Sequence, residues 1–160
     1  MAKTKSLCTV LLRLLALGAT TSAAVVMATS RETTVVLNLP FYAKFTDSPA
    51  FMYFLVTNGV ASIYSLLALF VPSESWLGHL VMALDAVVSM LLTSGISVAL
   101  AIGYVGKKGN PHAGWLPICN QVPKFCDHVS GATIAGVIGA AIYFVLHMYT
   151  LVRTIKPLLG

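Results

Sequence analysis

Four long apolar runs limit what this chain can fold into. They occupy 7–28, 51–71, 77–103 and 129–152, each near the ~20 residues a helix needs to cross the hydrocarbon of a bilayer. All seven prolines, Pro40, Pro49, Pro72, Pro111, Pro117, Pro123 and Pro157, fall outside the runs. Proline lacks the amide hydrogen that a helix ladder uses, so its exclusion marks the runs as helices independently of hydropathy. Barrel strands would be shorter and would alternate polar with apolar residues, and an open backbone is too costly in lipid. The chain is therefore read as an all-α membrane protein, a single four-helix transmembrane domain over 1–160 with little left for any soluble domain.

Composition agrees. Hydrophobic residues make up 58% of the chain and charged residues 9%, against ~25% charged in a soluble domain. The formal charge of +5 comes from ten Lys and Arg against five Asp and Glu, and all of the ten except Arg13 are scattered over connectors and ends. With no basic stripe or aromatic platform, nucleic-acid binding is excluded and membrane-edge anchoring is the better account. The first run also has the look of a cleavable signal, with Lys3 and Lys5 before it and the small residues Thr21, Ser22 and Ala23 inside it. Its length, continuing through Val26, favours a retained span.

Four spans put both ends on one side of the membrane. The positive-inside rule barely chooses which, because Lys3, Lys5, Arg153 and Lys156 on the side of the ends are matched by Arg31, Lys44, Lys107, Lys108 and Lys124 in the long connectors 30–50 and 104–128. Cys119 and Cys126 break the tie: sharing one connector, they can form a disulfide in an oxidising compartment, which makes the N- and C-termini cytoplasmic. The alternative is a pair of unrelated thiols in a cytoplasmic loop. Cys8 is read as a buried, inert thiol, with palmitoylation as the alternative, and Trp76, Trp115, Tyr42 and Tyr104 near span ends as interfacial anchors. The link 72–76 is a tight turn.

Two charges interrupt the apolar runs. Arg13 lies about six residues into the first and Asp85 about eight into the third, roughly 9 and 12 Å at 1.5 Å per residue, so the two can meet at one depth. An ionised side chain at mid-membrane costs ~2.5–3.5 kcal/mol on insertion scales, which pairing would offset. Otherwise Arg13 snorkels to the headgroups while Asp85 sits protonated beside Ser89, or the partners lie on another subunit. Asp85, Ser89, Thr93 and Ser97 are placed on one inward ridge by their spacing of four, with Ala16, Thr20 and Ala24 lining the first span. The fourth span carries two small-residue tracks, Gly131, Ala135, Gly139 and Ala132, Gly136, Ala140. Such tracks let backbones approach closely, within the bundle or between subunits. His79 and His147 are read as interfacial or bundle-facing, with too few donors nearby for a metal. No catalytic constellation and no cofactor site is found, since acid, base, nucleophile or metal groups do not converge anywhere.

The stretch Leu39-Pro40-Phe41-Tyr42-Ala43-Lys44-Phe45, followed by Asp47-Ser48-Pro49-Ala50-Phe51-Met52-Tyr53-Phe54 and combined with Arg13 and Asp85, resembles the plant Casparian strip membrane domain family, more closely its CASP-like branch. The resemblance covers nearly the whole chain. It implies a multi-pass plasma-membrane protein with cytoplasmic ends that self-associates, as a homodimer or larger, or mixes with related four-span proteins. In that family strip-forming members act as immobile scaffolds that recruit cell-wall-modifying partners. The resemblance also matches Arg13 and Asp85 to the family's span charges, and Cys119 and Cys126 to an outer-loop cysteine pair. The first outer loop is shorter here than in strip-forming members. The expected function is a non-enzymatic scaffold embedded in the lipid bilayer. The competing reading is a small ion or proton transporter or channel subunit using Asp85.

Overall fold

The computed structural model describes residues 2–36, 39–71 and 76–155. Four helices dominate: α1 (Ala2–Thr29), α2 (Pro49–Leu69), α3 (Trp76–Lys108) and α4 (Pro123–Ile155). All four are long and apolar enough to cross a membrane. The prolines do more than stay out of the way, because Pro49 and Pro123 open α2 and α4, where a missing amide hydrogen costs nothing. With Pro123 in its first turn, α4 starts six residues before its apolar run, and α3 for its part continues five residues beyond its own. The polar residues in these extensions are compatible with helix once it leaves the hydrocarbon. The link 72–75 and Pro157 lie outside the described residues, as do the side chains of Lys3, Lys5, Trp76, Arg153 and Lys156.

Each helix packs on its sequence neighbours, and α1 closes the ring on α4. One core cluster, around Met27, Phe51, Phe54, Val122 and Phe125, fills the end near the long connectors. A second, with Ala16, Ala61, Val88, Leu92 and Tyr143, fills the end near the termini. Glycine permits the closest approaches. A Cβ on Gly136 would stand 2.8 Å from the Phe54 ring, and one on Gly139 would stand 2.9 Å from Thr20.

The first connector is more ordered than an open loop. It forms an antiparallel hairpin, β1 (Arg31–Val36) with β2 (Leu39–Lys44), in which Thr33 faces Tyr42 and Glu32 faces Ala43. The β-branched run Thr33 to Val36 suits a strand. A lone two-stranded hairpin is only marginally stable in water, so its anchors matter. Ser30, fully buried, accepts the Phe45 amide, and the Glu32 carboxylate accepts the amide of Phe125 at 2.8 Å. Phe125 lies in the first turn of α4, whose amides have no partner within the helix, so Glu32 caps α4 from another element.

The second connector turns back at Gly109, where φ is +72° and a Cβ would come within 2.7 Å of the Trp115 carbonyl oxygen. Only glycine meets both conditions. Cys119 and Cys126 are joined by a disulfide, with 5.7 Å between their Cα atoms, which ties this connector to the start of α4.

Candidate functional site: a charged layer drawn from four helices

Arg13 and Asp85 reach across the bundle from α1 and α3, which are diagonal to one another. The guanidinium donates in a fork, Nη1 to Oδ1 at 3.2 Å and Nη2 to Oδ2 at 2.9 Å. Their side chains are 6% and 0% exposed, so neither charge reaches lipid. The fork geometry is one that arginine provides and lysine does not.

The other diagonal adds two phenols. Tyr64 of α2 donates its hydroxyl hydrogen toward Asp85 Oδ1 at 2.7 Å, with the Val81 carbonyl a second acceptor at 2.9 Å. Its ring lies 5.9 Å from the Arg13 guanidinium carbon. Tyr143 of α4 stacks on Tyr64 with centroids 6.3 Å apart. Its hydroxyl donates to the Ala61 carbonyl at 2.8 Å and pairs with Ser65 Oγ at 2.5 Å. Asp85 Oδ1 thus accepts from two groups and Oδ2 from one. The layer holds one positive and one negative charge, and both carboxylate oxygens and both phenol hydroxyls find partners.

Tyr64, Tyr143 and Ser65 were not anticipated from sequence. A phenol in the middle of an apolar run is itself a signal, since a buried tyrosine hydroxyl needs a partner. Several sequence expectations require correction. The α3 ridge is not Asp85, Ser89, Thr93 and Ser97: Ser89 is half-buried, and Thr93 and Ser97 are exposed, their hydroxyls bonded to carbonyls one turn back. A spacing of four drifts about 40° per step on a helix of 3.6 residues per turn. The buried ridge is Asp85, Val88, Leu92, Ile96 and Ala99. On α1 it is Arg13, Ala16, Thr20, Ala23 and Met27, with Ala24 half-buried beside it.

The small residues of α4 divide by the same drift. Ala132, Gly136 and Gly139 are buried inside the bundle, Ala135 and Ala140 are half-buried, and Gly131 faces outward with nothing within 4 Å of its Cβ position. Cys8 is exposed rather than buried. His79 is exposed, while His147 Nδ1 and Asn58 Oδ1 are buried and have no hydrogen-bond partner among the described residues. Trp115, Tyr42 and Tyr104 are exposed, consistent with an interfacial position.

These features define a four-span integral membrane protein braced by a buried ion pair and, at one end, by a disulfide and a hairpin that caps α4. The Casparian strip membrane protein domain matches residues 2–142. Similar plant proteins include CASP-like protein 1C1 of Vitis vinifera, 55% identical over 98% of this chain and 99% of the relative. CASP-like protein 1C2 of Vitis vinifera is 57% identical over 92% of each chain, and CASP-like protein 1C1 of Arabidopsis thaliana is 51% identical over 98% and 95%. No solved structure matches. The chain belongs to the Casparian strip membrane domain family, among its CASP-like members.

Proposed function

We propose that this chain is a non-enzymatic plasma-membrane scaffold. It self-associates, or associates with related four-span proteins, through its lipid-level faces. Its termini lie in the cytoplasm, and its hairpin and disulfide loop face the outside, where they meet wall-modifying partners. The observation that carries this reading is the complete pairing of Asp85, which is the only carboxylate well inside a helix among the described residues. An ion or proton carrier needs a carboxylate that changes partners during its cycle. Asp85 is instead held by a bidentate arginine and a phenol, an arrangement suited to bracing a bundle.

Orientation is supported by chemistry. A disulfide persists in an oxidising compartment, which supports reading that end as the one away from the cytosol. The outward faces carry large apolar side chains, among them Leu15, Ile63, Leu67, Met90 and Ile138. Such faces suit lipid contact and lateral assembly.

Reconstitution tests the reading. Proteoliposomes should show no Asp85-dependent proton or ion flux, in-cell crosslinking should capture multimers, and a fluorescent fusion should recover slowly after photobleaching. An uncrosslinked, freely diffusing monomer would sink the scaffold reading, and flux abolished by Asp85→Asn would favour the carrier.

A further inference from the structure

A cavity of about 460 Å³ opens at the disulfide end of the bundle, between the end of α3 and the start of α4. Its size falls within the ~300–1,000 Å³ of small-molecule sites. Apolar side chains dominate the wall, including Phe51, Ile102, Val105, Leu116, Ile118 and Phe125. Gly103 and Gly106 of α3 also line it. A Cβ on Gly103 would meet nothing within 4 Å, and one on Gly106 would stand 3.7 Å from Ile118, so this stretch of wall is left free of side chains. The ionisable groups on the lining are Lys107 and Asp127, both exposed, and Trp115 is exposed beside them.

The depth of the cavity narrows what it can hold. At 1.5 Å per residue, the 21 residues of α2 span roughly 32 Å, close to the thickness of the hydrocarbon core. The first turn of α2 therefore marks the edge of the hydrocarbon. Phe51 lies in that turn and meets Phe125 edge to face, with ring centroids 6.0 Å apart. The 33 residues of α3, roughly 50 Å, carry Lys107 beyond that edge. The cavity thus straddles the edge of the hydrocarbon, with Phe51 and Ile102 of its apolar wall level with that edge and Lys107 on the headgroup side.

We infer that this cavity binds one acyl chain of a zwitterionic phospholipid from the leaflet on the disulfide side, with Lys107 on the phosphate and Asp127 on the ammonium. A polar soluble ligand gains nothing from the wall. A purely anionic headgroup would face Asp127, whereas one cation and one anion match a zwitterion. The inference does not depend on the scaffold reading or on which side faces the cytosol.

The test uses the full chain reconstituted with a phosphatidylethanolamine bearing a diazirine in its acyl chain, with crosslinked peptides read by mass spectrometry. Labelling should concentrate on 102–106 and 115–119. Gly103→Phe, which fills the cavity, should cut labelling there by about tenfold, equivalent to ~1.4 kcal/mol, while labelling of the outer faces of α1 and α2 stays constant. Lys107→Gln and Asp127→Asn alter exposed positions and should each reduce labelling, which keeps the test decisive if Gly103→Phe does not fold. Uniform labelling around the bundle would overturn the inference. So would unchanged labelling in these variants, or equal capture of a diazirine fatty acid that lacks the headgroup.

Discussion

Asp85 is fully buried and depends on partners from two other helices, so its value to the fold is set by what removing each partner leaves behind. Arg13→Ala and Asp85→Ala each orphan a buried charge, a loss of about 3–5 kcal/mol. Both should lower detergent melting temperature and folded yield, as read by fluorescence-detected size exclusion. The double exchange Arg13→Asp with Asp85→Arg should regain part of that loss; single variants as stable as the parent would strip the pair of structural meaning. Tyr64→Phe is a milder case. It removes one donor to a carboxylate that keeps its arginine fork, so the expected cost is near the low end of the ~1.5–3 kcal/mol seen for hydrogen bonds to charged groups. Melting temperatures should therefore rank parent above Tyr64→Phe above Asp85→Ala. The two charges were legible in the sequence because a charge inside an apolar run is an anomaly that demands a partner. Tyr64 and Tyr143 were not, because an aromatic residue in a span reads equally as core or as interfacial anchor.

At the level of elements, the spans were legible to within a few residues at most ends, since their length is set by the bilayer. The early start of α4 was not, because Pro123 and Lys124 look like loop until the proline is placed in the first turn. The hairpin was missed for a different reason. Its strands hold six residues each and one contains Pro40, so local pattern alone is weak, and what stabilises it is distant in sequence: Glu32 on the start of α4. Glu32→Ala should cost about 0.5–2 kcal/mol, the range for loss of a helix cap. Hydrogen exchange at the Phe125 amide should quicken, while exchange in mid-α4 stays slow; an unchanged Phe125 amide would mean the cap carries no weight. The small residues of α4 separate in the same manner. Gly136→Leu drives a side chain into Phe54, and overpacking of this kind costs ~1–3 kcal/mol. Gly131→Leu meets open space and should leave the monomer's melting temperature unchanged, so any effect on crosslinked multimers would mark an intersubunit face.

For the whole molecule, depth and sidedness were unequally legible. Four runs fix the number of crossings, and the match in depth between Arg13 and Asp85 follows from α1 and α3 running the same way. Which end faces the cytosol rests on the cysteines, because lysines and arginines fall almost evenly on both sides. The cysteines supply their own assay. Cys8 is free and exposed near the start of α1, whereas Cys119 and Cys126 are bonded at the opposite end of the bundle. With the termini in the cytosol, a membrane-impermeant maleimide applied to intact protoplasts should label nothing at first. After mild external reduction it should label Cys119 and Cys126, while Cys8 should react only once the membrane is permeabilised. A Cys119→Ser, Cys126→Ser double variant should lose the reduction-dependent signal and keep the Cys8 signal. It should also lose about 2–3 kcal/mol, the entropic value of so short a closed loop. Labelling of Cys8 on intact cells would invert the molecule and put the hairpin and disulfide loop in the cytosol, where a disulfide would not persist.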